Sequence, residues 1–463
     1  MSKETVYDIL KKARIESAEM FSAAVCNLNC TYCYIPKKDP RLSKYHKNII
    51  EKITSDKFIE QLGETYGEGL TSISHWGTEP TLTLHHYTEN NFYEKLQKVC
   101  PNVTSIMMSS NFMHNPSTII DLIKSLPKYE KTVKLNIQMS LDGPDYITDK
   151  NRGKGATKKI LENVFTFFKN LKEIEGMLRE KNIIFSFHVK PTHYIDDIIL
   201  LMDMKYVLEY CDVFENLMKE ILPYRSEGIQ ILPICDATLV YPGRYTKQDG
   251  LNYTKYVENF FNLKNEKEYK YATFNAPYVG YFEELLKFLD HAFTCNGQTS
   301  CSAGRSQLAL TDKNDLIFCH RMFYMNEPEV YEDIFEPFFD GNVCYSGSEF
   351  GRHQLLQRFV ANDPLKLASA LTVSRGFNDY QGHKMNCAYA LIKEMAKCGQ
   401  IDKIFLENEK YCTLFTMFLL KRSCPVESIV TTGSIHTSST SFYRIFGNGV
   451  FQLICDHVLG GKI

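Results

Sequence analysis

The stretch Val133-Lys134-Leu135-Asn136-Ile137-Gln138-Met139-Ser140-Leu141 alternates without a break, with apolar side chains at 133, 135, 137, 139 and 141 and polar ones between them. A period of two is the pattern of an extended strand with one face toward apolar neighbours and the other toward polar surroundings. Downstream, Arg152-Gly153-Lys154-Gly155 reads as a turn. From 156 to 171 the spacing changes, placing Ile160, Val164, Phe167, Phe168 and Leu171 at helical intervals. Gly153-Lys154-Gly155 lacks the further glycines and the lysine-hydroxyl pair of a phosphate loop, so it is read as a turn only.

The strand-turn-helix unit recurs. Strands are expected at 21–25, 71–76, 103–109, 133–141, 183–190 and 229–234, most of them separated by helix-like segments. That alternation predicts an α/β fold, a parallel sheet wrapped by helices and closed or partly closed as a (β/α)6 TIM-like barrel. In such sheets ligands gather at the carboxyl ends of the strands. The odd residues of 133–141 would pack on helices, leaving Gln138, Ser140 and Asp142 on the interior face, with Ser186, His188 and Lys190 doing likewise on the fifth strand. The alternative is a sheet face open to solvent.

The 463 residues, 44% hydrophobic and 23% charged, suffice for one large domain and a smaller one, with a boundary near 290. A formal net charge of −2 supplies no basic face for a phosphate backbone, so no nucleic-acid partner is expected. The opening MSKETVYDILKKARIE lacks the apolar core of a secretory signal, and no apolar run approaches the roughly 20 residues that cross a bilayer. A cytoplasmic location without membrane insertion is therefore expected. In that setting fifteen cysteines point to metal ligands or buried thiols rather than disulfides. No internal repeat or low-complexity tract is visible.

Directly after the first expected strand, Cys26-Asn27-Leu28-Asn29-Cys30-Thr31-Tyr32-Cys33 packs three thiols into eight residues. Three thiolates can hold three irons of a [4Fe-4S] cluster and leave the fourth iron open to an outside ligand. The alternatives are a zinc knuckle, which would want a fourth ligand closer than His46, or a chance grouping of buried thiols.

This spacing, with aromatic Tyr32 before the last cysteine, resembles the signature of the radical S-adenosylmethionine superfamily. His75-Trp76-Gly77-Thr78-Glu79-Pro80 resembles the family's Gly-Gly-Glu-Pro motif, with Thr78 in place of the second glycine; taken alone it is also a turn closed by Gly and Pro. The resemblance implies that strand-end backbone and Glu79 receive the methionine amino group. Asn111, in Ser109-Ser110-Asn111, stands where the family often has a polar pair facing the cofactor. Ser140-Leu141-Asp142-Gly143-Pro144 followed by Arg152 resembles the Ser-x-Asp-Gly-Pro stretch of radical enzymes that modify peptides, and implies Ser140 and Arg152 near the methionine carboxylate or ribose. By the same resemblance Tyr32, Gly77, Thr78, Asp142, His188 and Leu232 border S-adenosylmethionine, and Cys26, Cys30 and Cys33 hold the cluster.

A second cysteine zone, Cys295-x5-Cys301 followed by a short apolar hairpin around Asn314-Asp315 that ends in Cys319-His320, resembles the start of an auxiliary-cluster domain of the SPASM or twitch type. The full SPASM run of cysteines does not follow. The resemblance therefore implies one auxiliary [4Fe-4S] cluster on Cys295, Cys301 and Cys319, with Cys387 or else Cys344 as fourth ligand; zinc or no metal is the alternative. Cys398, Cys412, Cys424 and Cys455 are read as buried thiols. His320 occupies the place of an acidic base in sulfatase-maturing relatives, which argues against that activity and makes it the candidate catalytic residue of this zone.

The expected organisation is an N-terminal segment 1–20, a barrel 21–235, a bridging region 236–294, an auxiliary-cluster domain 295–400, and a segment 401–463 without functional signal. The resemblance implies reductive cleavage of S-adenosylmethionine to a 5'-deoxyadenosyl radical that abstracts hydrogen from a peptide. The substrate would be a short, cysteine-containing ribosomal precursor in which a thioether or other crosslink forms, with flavodoxin or ferredoxin as reductant. A radical enzyme acting on a small molecule or a folded protein is the alternative. A noncatalytic iron-sulfur protein is the third reading, but it would not need Glu79, Asn111, Ser140 and Arg152 around an open iron.

Overall fold

The computed structural model describes residues 15–23, 25–33, 50–239, 247–276, 307–310, 316–317, 393, 396–397, 404–410, 412–415 and 453–459. Its strands are β1 (Ser17–Ala23), β2 (Ser72–Gly77), β3 (Ser105–Ser110), β4 (Val133–Ser140), β5 (Ile183–Lys190), β6 (Thr192–His193), β7 (Ile229–Leu232), β8 (Thr238–Leu239), β9 (Gln307–Leu310) and β10 (Leu316–Ile317). The main sheet runs β10-β9-β1-β2-β3-β4-β5-β7, and β6 pairs with β8 apart from it. Every neighbouring pair in the main sheet is parallel except β9–β10. Its ends do not meet among the described residues: the barrel is open, with β7 at one edge and β10 at the other.

Between the strands lie helices α1 (Asp56–Tyr66), α2 (Leu84–Glu89), α3 (Phe92–Val99), α4 (Ser117–Ser125), α5 (Asp145–Arg152), α6 (Ala156–Glu173), α7 (Glu175–Glu180), α8 (Ile195–Leu200), α9 (Met204–Ile221) and α10 (Lys247–Glu266). They cover the apolar face of the sheet. Val133, Leu135, Ile137 and Met139 of β4 are buried, as are Ile160, Val164, Phe167, Phe168 and Leu171 of α6. The helix-spaced residues of the sequence thus meet the odd strand residues, and burying both apolar stripes is what holds the layers together. Among the described residues no helix is long and apolar enough to cross a membrane.

The opposite face is polar. Glu19, Ser74, Met107, Asn136, Ser186 and Gln230 stand abreast across five strand pairings. Along β4 the residues Lys134, Asn136, Gln138 and Ser140 are all half-buried. Because the strands are parallel, their carboxyl ends share one rim, which carries the segment with the three clustered cysteines, Gly77 to Glu79, Asn111, Asp142 and Lys190.

Three boundaries differ from expectation. β1 begins at Ser17, four residues ahead of the expected start; SAEMFSA has no β-branched residue to mark it, yet Ala18 and Met20 are buried. Arg152 is not in a turn but in the last turn of α5, which ends at Gly153 with φ 129°. β7 stops at Leu232 because Pro233 follows and has no amide hydrogen to continue the ladder. The expected hairpin of the second cysteine zone forms as β9–β10, and β9 adds to the edge of β1 with Ser17 opposite Gln307 and Met20 opposite Leu310. Its turn at Asn314-Asp315 lies outside the described residues.

Candidate cluster and cofactor site

Cys26, Cys30 and Cys33 are half-buried thiols outside any disulfide, just beyond the carboxyl end of β1. The other described cysteines, Cys100, Cys211, Cys235, Cys412 and Cys455, are buried. Burial pushes the Cys100 thiol up to about 12 and those of Cys211, Cys235 and Cys455 higher still. A thiol so shielded resists becoming the thiolate a metal needs. Of the described cysteines, only the three in this segment are open enough to serve.

Both ends of the cysteine segment are anchored. At its start, the Thr78 amide donates to the Ala23 carbonyl at 3.0 Å and the Glu79 amide to the Val25 carbonyl at 3.3 Å, with the Thr78 hydroxyl also on Val25. Gly77 makes this possible. Its φ is 124°, and a Cβ there would run into the Ala23 backbone. At its end, the Thr31 amide donates to the Asn151 carbonyl at 2.9 Å, and the Tyr32 hydroxyl donates to both Asp142 oxygens at 3.0 and 2.8 Å.

Asp142 is fully buried and gathers further donors. Arg152 holds it with Nε at 2.9 Å and Nη2 at 2.8 Å, and the Thr192 amide reaches Oδ1 at 3.1 Å. The Arg152 guanidinium lies 5.6 Å from the centre of the Tyr32 ring. Burial, then the Asp142 charge, push the Tyr32 phenol well above its ordinary value, so it stays protonated and donating. Burial is the largest influence on Arg152 and opposes its charge, but the Asp142 carboxylate with its hydrogen bonds and Tyr32 together outweigh it and hold the guanidinium ionised.

Glu79 forms a second hub, 2% exposed. Oε1 accepts from the Thr81 hydroxyl at 2.5 Å and the Ser110 hydroxyl at 2.9 Å, and Oε2 from the Asn111 amide at 2.8 Å. Burial raises its carboxyl and these donors oppose the rise. Glu79 thereby fixes the end of β3 to the end of β2. Asn111 in turn donates from Nδ2 to Asn27 Oδ1 at 2.8 Å and to Cys26 Sγ at 3.7 Å, and the Leu28 amide donates to the same sulfur at 3.4 Å. Phe112 next to it takes the left-handed conformation, φ 53°, its carbonyl held by Asn163 at 2.6 Å.

Ser140 ends β4, abreast of Lys190 on β5; one step back, His188 Nε2 meets Gln138 Oε1 at 3.1 Å. Leu232, 41% exposed, stands beside His188. Cys295, Cys301, Cys319, His320, Cys344 and Cys387 lie outside the described residues, as do Cys398 and Cys424. Behind the rim, Ser22 meets His75 Nδ1 at 2.6 Å and accepts from Tyr87 at 2.9 Å, while His75 Nε2 meets the Tyr93 hydroxyl.

The arrangement fits a [4Fe-4S] cluster. Among the described residues no three His, Cys, Asp or Glu side chains converge on a point that would hold a single metal ion. A cubane gives each thiolate its own iron, and the three cysteines of this segment could each take one. The two N–H donors on Cys26 are what a charged sulfur takes. Sequence reasoning missed Asn27, Asn151 and Thr192 as supports, and read Ser110 only as part of a polar pair, not as a donor to Glu79. Their partners lie 31 to 120 positions away, and no local pattern marks them.

The chain is thus an α/β domain built on an open parallel sheet, with three thiols beyond β1 and polar anchors at the ends of β2 to β4. Residues 20–200 match the family model described as the Radical SAM superfamily. Among solved structures, the chain is similar to native anSMEcpe with bound AdoMet, at 17% identity and TM-score 0.42 over 65% of this chain and 74% of that one. It is also similar to native anSMEcpe with bound AdoMet and Kp18Cys peptide, at 16% identity and TM-score 0.42 over 68% and 75%. No curated protein sequence matches it.

Proposed function

We propose that the protein is a radical S-adenosylmethionine enzyme that abstracts hydrogen from a peptide, a maturase forming a thioether or other crosslink in a short cysteine-containing precursor. One observation carries the reading: in the stretch that matches the Radical SAM superfamily model, the three half-buried thiols sit at the rim where Asn111, itself fixed by Glu79, touches Cys26. Cys26, Cys30 and Cys33 hold the cluster. Glu79, Asn111, Gly77 and Thr78 receive the methionine amino group, with Ser140, His188 and Leu232 along the interior face beside the cofactor. Tyr32, Asp142 and Arg152 hold the cysteine segment in register with the end of β4.

When bound, the reduced cluster and S-adenosylmethionine supply the hydrogen-abstracting chemistry. The chain's own part is to bind, orient and shield. The resemblance of Ser140-Leu141-Asp142-Gly143-Pro144 to the stretch found in peptide-modifying radical enzymes supports a peptide as substrate. The auxiliary [4Fe-4S] cluster is assigned to Cys295, Cys301, Cys319 and Cys387, with His320 beside it, and flavodoxin or ferredoxin as the electron donor. Anaerobically reconstituted protein, reduced in the presence of S-adenosylmethionine, is expected to release 5'-deoxyadenosine. The same yield from a Cys26→Ala, Cys30→Ala, Cys33→Ala triple variant sinks the proposal.

A further inference from the structure

We infer that Asp197 and Asn151 are positioning residues for the cluster, an inference that rests on the function proposed above: Asp197 aims the Asn151 amide, and Asn151 holds the Cys30–Cys33 half of the cysteine segment. The last turn of α5 presents Lys150, Asn151 and Arg152 in succession to two buried carboxylates. Arg152 takes Asp142. Lys150 Nζ and Asn151 Nδ2 take Asp197, at 2.6 Å on Oδ1 and 2.9 Å on Oδ2. Asp197 is 0% exposed and Asn151 1%, and a carboxylate buried so deeply is costly to strip of water. Capping α8 asks less of it, since the Tyr194 amide, at 2.8 Å on Oδ2, needs a single lone pair.

Paired with Lys150, the Asp197 carboxylate only accepts, so it draws the NH2 end of the Asn151 amide and turns the oxygen end away. That oxygen faces the cysteine segment. The Thr31 hydroxyl donates to Asn151 Oδ1 at 3.4 Å, and the Thr31 amide donates to the Asn151 carbonyl at 2.9 Å. Thr31 follows Cys30 directly, and the Cys33 amide donates to the Cys30 carbonyl at 3.2 Å, so the two cysteines share one turn.

Cys26 is held from elsewhere. Its sulfur accepts from Asn111 and from the Leu28 amide, and the Glu79 amide grips Val25 just ahead of it. The segment thus has two separate grips, and Asn151 with Asp197 serves only the second half, beside Tyr32 on Asp142. Loss of that grip should loosen Cys30 and Cys33 together and leave Cys26 as it was, a pattern that a general loss of stability does not produce.

The test reads the alkylation rate of each of the three thiols by iodoacetamide and mass spectrometry on cluster-free protein, and iron release to a chelator on cluster-loaded protein. Asp197→Ala and Asn151→Ala are each expected to speed alkylation of Cys30 and Cys33 about threefold to tenfold, to leave Cys26 unchanged, and to speed iron release. The double variant should go no further than either single one, because both remove the same contact. Asp197→Asn keeps an oxygen for the Asn151 amide and should restore most of the wild-type rates. Lys150→Met breaks the ion pair without touching Asn151 and should keep them, whatever it costs in unfolding free energy. If Asp197→Ala does not fold, Thr31→Val, which removes only an exposed hydroxyl, takes its place in the double-variant comparison. Unchanged rates, equal acceleration of all three cysteines, additive effects, or Lys150→Met behaving like Asp197→Ala overturns the inference and leaves the proposed function standing. Wild-type protein that takes up no iron-sulfur cluster overturns the proposed function, while the alkylation rates still decide whether Asp197 and Asn151 hold the segment.

Discussion

Tyr32 shows how a single hydroxyl can position a loop. It reaches a carboxylate 110 residues away, and that carboxylate is fully buried. Tyr32→Phe removes the donor but leaves Arg152 and the Thr192 amide on Asp142, so the expected loss is about 1 to 2 kcal/mol of stability, read from denaturant unfolding, together with faster loss of iron under a chelator. His75 makes a different prediction. Burial pushes its imidazole down to about 3, against an ordinary value of 6.5. Below pH 6.5 the unfolded chain takes up a proton that the native His75 refuses, so this group's stability is present above 6.5 and is lost progressively as pH falls toward 3. His75→Gln should flatten the fall in unfolding free energy between about pH 6.5 and about pH 5, before carboxylates titrate. An unchanged slope would mean that His75 is not held neutral. The sequence marked Tyr32 and Asp142 as site residues through their motifs, but it held no sign that they bond to each other or that Arg152 joins them.

At the level of elements, β4, β5 and α6 were legible because their apolar residues keep one period from end to end. β1 was legible only in its second half: Ser17 to Met20 show no β-branched residue, and the strand's start is decided by the neighbours that bury Ala18 and Met20. The end of β3 depended on contacts that no window of sequence contains. There Glu79 holds Asn111, and Asn111 donates to Cys26. Hydrogen bonds to the sulfurs of a cluster favour its reduced, more negative state. Asn111→Ala should therefore shift the reduction potential of the bound cluster to more negative values, measured by a redox titration followed by electron paramagnetic resonance. A potential that stays put or rises would show that this donor does not act on the cluster.

For the molecule as a whole, the hairpin β9–β10 is the part that links the two cysteine zones, since its β9 completes the edge of the strand that leads into Cys26, Cys30 and Cys33. The hairpin itself was readable from its apolar runs, but its docking against β1 was not, because pairing partners 290 positions apart share no local signature. A chain cut after residue 276 leaves β1 as an unpaired edge. We expect it to self-associate on sizing chromatography and to retain less iron than the full chain; a monomer with full iron content would show that β9 is dispensable.

The same pairing fixes an order of events during synthesis. Ser17 leaves the ribosome 290 residues ahead of its partner Gln307, a delay of about 15 to 60 s at the usual rates of elongation. Throughout that interval the nascent chain presents the cysteine segment on a strand with one side unsealed. On the proposed function, loading of the cluster onto this segment can begin before β9 is made, and pairing of β9 closes that side afterwards.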